Sequence, residues 1–393
     1  MSAASPRSWD VIVVGAGPAG ATAARRMAQH GLGVLLLEKS SHPRPKACGG
    51  GLTRKVRAHL DCDVSEAVES VVSSTRILFR GKHERSLTAA SAAVEMVRRP
   101  CFDALLARRA VESGATLLEW AALHGLRRTN GRVEVETPRG SFRAPLVVGA
   151  DGAASPTGRL SGLRANPRFG IALDVELVSR HPGAAGQETA AIFDLCVVPE
   201  GYAWSFPKRG ILSIGVATAR SKLSGIHDHL RRFRERHPEL AGGEIIQRRG
   251  APLPFWDERQ PLGGEGVTLV GDAAGLVDPF SGEGIPHAIR SGAALAAFAR
   301  DFVKGDQTAL AGYDETIRRE ITEDFEYALR LSRFFFAHPR LAYFCGMRAP
   351  ATAEHIAALV AGRTTYREIY RRARASLPGR TYRIARGWSR AWS

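Results

Sequence analysis

The chain has 393 residues, of which 44% are apolar and 24% charged, and this balance excludes disorder or a long coiled coil as an overall description. The length predicts two domains with a helical appendage. The formal net charge is +16, which favours anionic partners, and no apolar run approaches the roughly 18 residues that a membrane-spanning helix needs.

The cysteines are scattered and contain no C-x-x-C pair. They are Cys48, Cys62, Cys101, Cys196 and Cys345. Such a set favours neither a zinc site nor a disulfide framework, so we expect no metal ion and a reducing, cytoplasmic location. The first motif begins at Val11, which leaves no room for a cleavable signal peptide.

The first predicted strand, Val11–Val14, is a β-branched apolar run of the kind that is buried on both faces of a parallel sheet. A glycine turn, a helix over residues 21–30 and a second strand, Val34–Leu37, follow it, and Glu38 ends the unit. In this context the turn predicts a dinucleotide site. Phosphates would lie at the helix N-terminus, and Glu38 would accept hydrogen bonds from ribose hydroxyls.

Two later predicted strands run into turns that contain glycine and aspartate. The strand Leu146–Gly149 precedes Asp151, and residues 267–270 precede Gly271 and Asp272. A single NAD unit needs neither turn, whereas FAD stretched across a sheet uses both. The sequence therefore predicts FAD, with Asp272 near its ribityl hydroxyls or phosphates. No second strand–glycine turn–helix unit exists, so we expect electrons from visiting NAD(P)H or from a docked ferredoxin.

In this order and spacing the three motifs resemble those of FAD-dependent oxidoreductases with the p-hydroxybenzoate hydroxylase type of fold. In that family an arginine shortly before a Phe-Asp pair lies beside the flavin. Arg99 matches it, with Arg98 as its neighbour, and a surface arginine before a helix is the alternative. The resemblance implies an α/β fold with a Rossmann-like FAD-binding domain of the second glutathione reductase type, which has three layers, ββα. An antiparallel β-sheet substrate domain and a C-terminal helical region would complete it.

Further segments resemble the geranylgeranyl reductase branch of this superfamily. Residues 43–52 match its P-R-x-K-x-C-G-G-G motif, residues 201–208 match its G-Y-x-W-x-F-P-K strand, and residues 351–370 are similar to its helical ending. The branch reduces isolated C=C bonds of isoprenoid chains. Its G-E-G-I motif stands at residues 282–285, but Pro286 and His287 follow where a small residue and an aromatic are commoner.

Four side chains are candidates for the chemistry. Cys48, flanked by Lys46 and three glycines, would donate a proton or position the alkene, or else be a small buried residue. Tyr202 and Trp204 alternate on a strand, so they would share one face and line an apolar pocket or pack in the sheet. His287 is either a proton donor or a cap or packing residue.

The residues that these motifs place at the cofactor lie in seven segments. They are Gly15, Gly17, Pro18, Ala19, Gly20, Glu38, Lys39, Cys48, Gly49, Gly50, Arg99, Asp151, Gly271, Asp272, Gly282, Gly284 and Ile285. The helix after Gly284 would direct its N–H groups at the flavin and favour its anionic reduced form.

The pattern of short strands and helices divides the chain into four parts. Residues 1–75, 97–165 and 262–305 would form the FAD-binding domain, and residues 76–96 and 166–261 the substrate domain. Helices would follow over residues 306–376, with an aromatic group at Phe334–Phe336, Tyr343 and Phe344 that packs in the core or lines a channel for a long chain. Residues 377–393 would be a basic tail.

The leading hypothesis is a flavin-dependent reductase of prenyl C=C bonds, with a small-molecule or lipid-like substrate. The alternative is an FAD-dependent monooxygenase that hydroxylates an aromatic or peptide-bound substrate. Residues 363–393 hold nine arginines and one glutamate, with Trp388 and Trp392, which indicates either contact with the inner face of a membrane or a solvated, frayed end. No nucleic-acid-reading motif accompanies this charge, so we expect no nucleic-acid partner.

Overall fold

A computed structural model describes residues 6–88, 93–164, 168–178, 190–240, 243–256, 261–343 and 350–376. The strands in these ranges are, in chain order, β1 (Arg7–Ser8), β2 (Val11–Val14), β3 (Val34–Leu37), β4 (Gly51–Leu52), β5 (Val68–Val72), β6 (Ser74–Phe79), β7 (Lys82–Thr88), β8 (Val94–Val97), β9 (Thr116–Leu118), β10 (Gly125–Thr129), β11 (Arg132–Thr137), β12 (Gly140–Ala144), β13 (Leu146–Gly149), β14 (Arg168–Val178), β15 (Ala191–Leu195), β16 (Gly201–Lys208), β17 (Ile211–Thr218), β18 (Glu244–Phe255), β19 (Gly263–Gly264) and β20 (Val267–Leu269). The helices are α1 (Pro18–Gln29), α2 (Arg54–Arg57), α3 (Arg99–Glu112), α4 (Pro156–Ser161), α5 (Ile226–Arg236), α6 (Ile285–Val303), α7 (Ala309–Ile317), α8 (Glu323–Ala337), α9 (Pro339–Ala342), α10 (Pro350–Val360) and α11 (Tyr366–Ser376).

The central sheet has the strand order β19-β20-β13-β2-β3-β9, and its neighbours are parallel from β20 to β9. Successive residues of a strand point to opposite faces, and both faces of β2 are buried. Val11 and Val13 pack with α1 and α6, whereas Ile12 and Val14 pack with a second sheet. This two-sided burial explains why the strand is apolar throughout.

The second sheet has the order β1-β12-β11-β10 and covers the face opposite the helices. Val133, Val135 and Phe142 supply its buried face. The second sheet, the central sheet and the helices on its other face form the three layers that the sequence predicts. The predicted fold class is therefore confirmed.

The largest sheet has the order β18-β14-β17-β16-β15-β6-β7 and is antiparallel except for the pair β15 and β6. Helix α5 covers one face through Leu230 and Phe233. The other face lines the cavity described below. The predicted division between residues 75 and 76 falls inside β6, and β8 pairs with both β4 and β5 in a small separate sheet.

Helices α7 to α11 follow α6, and α11 packs against α8. Tyr343 stacks on Phe79 with ring centroids 4.6 Å apart, and Phe335 contacts Phe280 edge to face. Phe344, Cys345, Trp388, Trp392 and the basic tail lie outside the described residues. Among the described helices, none combines the length and the apolar character that crossing a membrane requires.

Candidate functional site

The glycine turn between β2 and α1 has the geometry of a phosphate-binding turn. Gly15 has a φ of +103°, and a Cβ at this position would lie 2.5 Å from the carbonyl oxygen of Ala150. A Cβ on Gly20 would overlap the carbonyl oxygen of Gly15. A Cβ on Gly17 would meet only Arg44, at 3.7 Å, so the space above the first turn of α1 is free for a ligand.

Glu38 braces this turn at the end of β3. Its buried carboxylate accepts hydrogen bonds from the N–H groups of Ala16 at 3.0 Å and Ser40 at 3.2 Å. Arg44 bridges Glu38 at 3.1 Å and Asp103 of α3 at 3.2 Å. Arg44 was not among the predicted site residues, because its acidic partners come from distant parts of the sequence.

Asp151 and Asp272 follow neighbouring parallel strands and lie at the same edge of the sheet. The Asp151 carboxylate accepts hydrogen bonds from the Ser155 hydroxyl at 2.6 Å and the Thr157 N–H at 2.7 Å, so it also holds the start of α4. Burial outweighs these bonds and raises the pKa of Asp151. Asp272 has an oxygen 3.2 Å from where a Cβ of Gly284 would lie, which places it against the beginning of α6.

The N-terminus of α6 opens onto the same space. Gly282 has a φ of +75°, Gly284 caps the helix, and Ile285 is its first residue. The first N–H groups of a helix have no partner within it and carry positive potential. They are therefore able to stabilise a negatively charged group placed at this end.

The loop from Cys48 to Gly50 lies between α3 and the large sheet. The Gly50 N–H donates to the Cys48 sulfur at 3.4 Å, and Arg99 lies beside the same sulfur. Arg99 also donates to Asp103 at 2.8 and 2.9 Å. Burial opposes the charge of Arg99, but Asp103 and Cys48 outweigh it and raise its pKa.

The cation next to Cys48 is therefore Arg99 and not its sequence neighbour Lys46. The Lys46 ammonium reaches towards Gly152 instead, where a Cβ would lie 3.8 Å from it. The sequence placed Lys46 at the thiol only because the two residues are close along the chain.

Tyr202 and Trp204 share one face of β16, with ring centroids 6.1 Å apart. Phe206 and Phe193 continue the group, with their own ring centroids 5.2 Å apart. We call these four side chains the aromatic wall. The Tyr202 hydroxyl donates to the Ser281 carbonyl at 2.6 Å, and burial raises its pKa.

A cavity of about 1040 Å³ joins all of these features. Every predicted site residue lines it except Gly20, Gly271 and His287. Gly20 and Gly271 are positions of close packing, since a Cβ on Gly271 would lie 2.8 Å from that of Ala19. The volume is at the upper limit of the roughly 300–1,000 Å³ of ordinary ligand pockets, so a dinucleotide leaves room for a second ligand.

His287 faces away from the cavity. Its ring packs edge to face on Phe325 of α8, with centroids 4.8 Å apart. Burial lowers the pKa of His287 to about 4 despite the nearby Glu283 and Asp278, so the imidazole is neutral at pH 7. We therefore leave His287 out of the proposed chemistry.

Asp278, Glu283 and His287 bring potential metal-ligating atoms within 4.8 Å of one another. Lys55 already supplies a cation there, with its ammonium 2.5 Å from a Glu283 oxygen. The Thr53 hydroxyl donates to the other Glu283 oxygen at 2.7 Å. Glu283 is thus held by an ion pair and a hydrogen bond, which sequence reasoning missed because Thr53 and Lys55 lie far from Glu283 along the chain.

The chain's similarity to known proteins agrees with this geometry. The model of the FAD binding domain family matches residues 8–180. A digeranylgeranylglycerophospholipid reductase of Thermoplasma acidophilum is 31% identical over 323 residues, which are 76% of this chain and 80% of that protein. A geranylgeranyl diphosphate reductase of Rhodobacter capsulatus is 31% identical over 316 residues, or 77% of each chain.

A solved structure agrees as well. The crystal structure of a geranylgeranyl bacteriochlorophyll reductase-like protein from Thermoplasma acidophilum has a TM-score of 0.78 to this chain. The two are 26% identical, and the match covers 94% of this chain and 96% of that one. With the open glycine turn and the size of the cavity, these similarities identify the cofactor as FAD.

Proposed function

This chain belongs to the geranylgeranyl reductase family of FAD-dependent oxidoreductases, and we propose that it reduces C=C bonds of an isoprenoid chain held in the cavity. The observation that carries the proposal is the apolar continuation of the cavity beyond the cofactor-binding residues. The aromatic wall lines one side of it, and Ile356, Leu359 and Val360 of α10 line another. A long unsaturated hydrocarbon fits such a lining, because its burial is favoured by about 25 cal/mol per Å².

The cavity has two chemically different ends. The glycine turn, Glu38 and Arg44 form a polar end suited to the adenosine and phosphates of FAD. The residues from α10, together with Tyr366, form a cover that we call the roof. The substrate alkene would lie between these ends, where Cys48 and the aromatic wall meet.

Reduced FAD supplies a hydride from its N5 atom when it is bound, and the protein must supply the rest. The aromatic wall and the roof would hold the alkene and exclude water. The N-terminus of α6 and the buried Arg99 would stabilise negative charge on the reduced cofactor. Cys48, pinned beside Arg99, would position the alkene or transfer a proton.

We further propose that the protein takes electrons from NAD(P)H or ferredoxin and works at a membrane surface. The net charge of +16 supports steering of an acidic carrier such as ferredoxin. Helix α11 presents the exposed residues Arg371, Arg372 and Arg374 beside the roof, which supports contact with anionic lipid. Co-sedimentation with vesicles containing anionic lipid tests the second point, and it should weaken as salt is raised.

The function is tested by reducing the FAD-loaded protein with dithionite under anaerobic conditions and adding geranylgeranyl lipids. We expect reoxidation of the flavin and a product that has gained two hydrogen atoms per reduced bond by mass spectrometry. A product that gains oxygen, and only in air, would show hydroxylation instead. Trp204→Leu should slow reoxidation, whereas Trp9→Leu, which removes an indole packed on the outer sheet, is the matched control.

A further inference from the structure

A carboxyl group outside the predicted site faces the cavity. Asp174 lies on β14, is 2% exposed and lines the cavity wall. An acid buried beside an apolar pocket is costly unless it is satisfied by partners, and such groups concentrate where chemistry needs them. The sequence alone gives no reason to single out this position.

The register of the large sheet places this carboxyl beside the aromatic wall. Asp174 stands opposite Gly215, which stands opposite Trp204. Directly opposed residues of antiparallel strands share a face, so all three face the cavity. Gly215 has no side chain, and a Cβ there would overlap the Trp204 indole, so the indole covers the intervening strand next to Asp174.

The polar groups around Asp174 come from every neighbouring element. The Ser213 hydroxyl of β17 donates to it at 2.8 Å, and the backbone of Cys48 approaches it from the loop above. Lys208 of β16 has its ammonium 4.0 Å from Glu176, which is two residues along from Asp174 on the same strand. Arg249 of β18 is the register partner of Asp174 on its other side and is exposed.

These neighbours act on the acid in opposite directions. Burial raises the pKa of Asp174, the Ser213 hydroxyl and the Lys208 charge lower it, and the Glu176 charge raises it. Burial also lowers the pKa of Lys208. Removing Lys208 or Glu176 should therefore move the titration of Asp174 in opposite directions.

We propose that Asp174 is the acid that protonates the alkene carbon opposite the one receiving hydride. The inference rests on the proposed function. In the step, the O–H bond of the Asp174 carboxyl breaks and its proton forms a C–H bond. The alkene gains a hydride at its other carbon, the two-electron-reduced flavin is oxidised, and Asp174 is left as a carboxylate that water reprotonates between turnovers.

The geometry favours Asp174 over the donors that the sequence indicated. His287 does not line the cavity. The sulfur of Cys48 accepts the Gly50 N–H and lies beside the Arg99 guanidinium, and these contacts suit a positioning role. Asp174 is a cavity-lining acid adjoining the indole that would hold the alkene.

The test measures reoxidation of dithionite-reduced, FAD-loaded protein by a geranylgeranyl lipid across pH. The wild-type rate should fall as pH rises through the pKa of Asp174, because only the protonated acid reacts. We call this fall of the rate with pH the limb. Asp174→Asn should slow the rate about 100-fold or more, the usual contribution of a general acid, and abolish this limb. Lys208→Met should move the limb to higher pH and Glu176→Gln to lower pH.

Asp194→Asn is the matched control, since Asp194 is a buried carboxyl on the opposite face of the same sheet. It should leave the rate and the limb unchanged. Infrared titration of the oxidised, substrate-free protein provides a readout apart from turnover. It should show a carboxyl band that Asp174→Asn removes and whose midpoint moves in opposite directions in the Lys208 and Glu176 variants.

If prenyl lipid reoxidises the wild-type protein and the Asp174→Asn variant reacts just as fast, the donor role of Asp174 is overturned but the proposed function is not. Lys208 and Glu176 variants whose limbs do not move would also overturn it, even if Asp174→Asn fails to fold. A wild-type protein that no prenyl lipid reoxidises would instead overturn the proposed function, and the donor role with it.

Discussion

Replacing Gly17 with alanine separates cofactor binding from folding at the glycine turn. Gly17 has φ −80° and ψ −173°, an extended conformation that alanine adopts freely. Its Cβ would meet only Arg44, at 3.7 Å, which is ordinary van der Waals contact. The methyl group would therefore intrude only into the space that the FAD phosphates would need.

The expected magnitudes follow from this geometry. Alanine has fewer conformations than glycine in the unfolded chain, which raises the free energy of unfolding by about 0.4–1 kcal/mol. This gain offsets the poorer capping of α1 by alanine. The cofactor-free variant should therefore unfold within about 0.5 kcal/mol of wild type. We expect FAD affinity to fall at least tenfold, equal to about 1.4 kcal/mol. At FAD one hundred times the wild-type Kd, the stabilisation by cofactor should drop from about 2.7 to about 1.4 kcal/mol.

Urea unfolding with and without FAD, together with calorimetric titration of FAD, measures both quantities. Gly20→Ala is the contrasting variant, because its Cβ would overlap the Gly15 carbonyl, and it should lose stability even without cofactor. A Gly17→Ala protein that binds FAD as tightly as wild type would refute placement of the phosphates on this turn. A Gly17→Ala protein that is strongly destabilised without FAD would refute the conclusion that the space above the first turn of α1 is free.

Three further predictions concern the roof and a half-buried acid. Leu359→Trp should fill the roof end of the cavity. In competition assays the rate of reduction should therefore fall more for twenty-carbon prenyl lipids than for ten-carbon ones. An equal fall in both rates would contradict the proposed binding mode. Tyr366→Phe removes a 2.8 Å hydrogen bond to buried Asp278 and should lower the free energy of unfolding in urea by about 1–3 kcal/mol. It should also speed hydrogen exchange in α11. Unchanged exchange would contradict the idea that this hydrogen bond holds the roof in place. Burial raises the pKa of Asp314 to about 6, so its contribution to stability is present below its ordinary pKa and is lost as pH rises to about 6. Asp314→Asn should therefore raise Tm at pH 8 and flatten its dependence between pH 4 and 6, and a lower Tm at pH 8 would contradict this.

Local features of this chain could be predicted well because each has a short-range physical cause. The apolar run Val11–Val14 is required by burial on both faces, and the spacing of Gly15 and Gly20 by contacts within one turn. The pairing of Tyr202 with Trp204 follows from strand alternation alone. The assigned roles of the site residues and the domain boundaries stay predictions.

Contacts between distant segments could not be predicted in the same way. Lys55 and Glu283 form an ion pair although 228 positions separate them, and Asp174 lies next to the Trp204 indole because that indole covers Gly215 on the strand between them. The side on which His287 lies depends on the rotation of α6 against α8, and periodicity does not fix this rotation. A single sequence does not show which strands become neighbours or how helices rotate against each other, so it does not show which of these residues meet.

The hydrogen bond from Tyr366 to Asp278 fastens the roof to the loop that precedes α6. The glycine turn, the sheets and the aromatic wall are all formed by residues that come earlier in the chain than the roof. During synthesis on the ribosome, the apolar half of the cavity therefore stays wetted until the helices after residue 350 emerge. Competence for a reaction that requires dry surroundings would thus be acquired only after the roof helices have emerged.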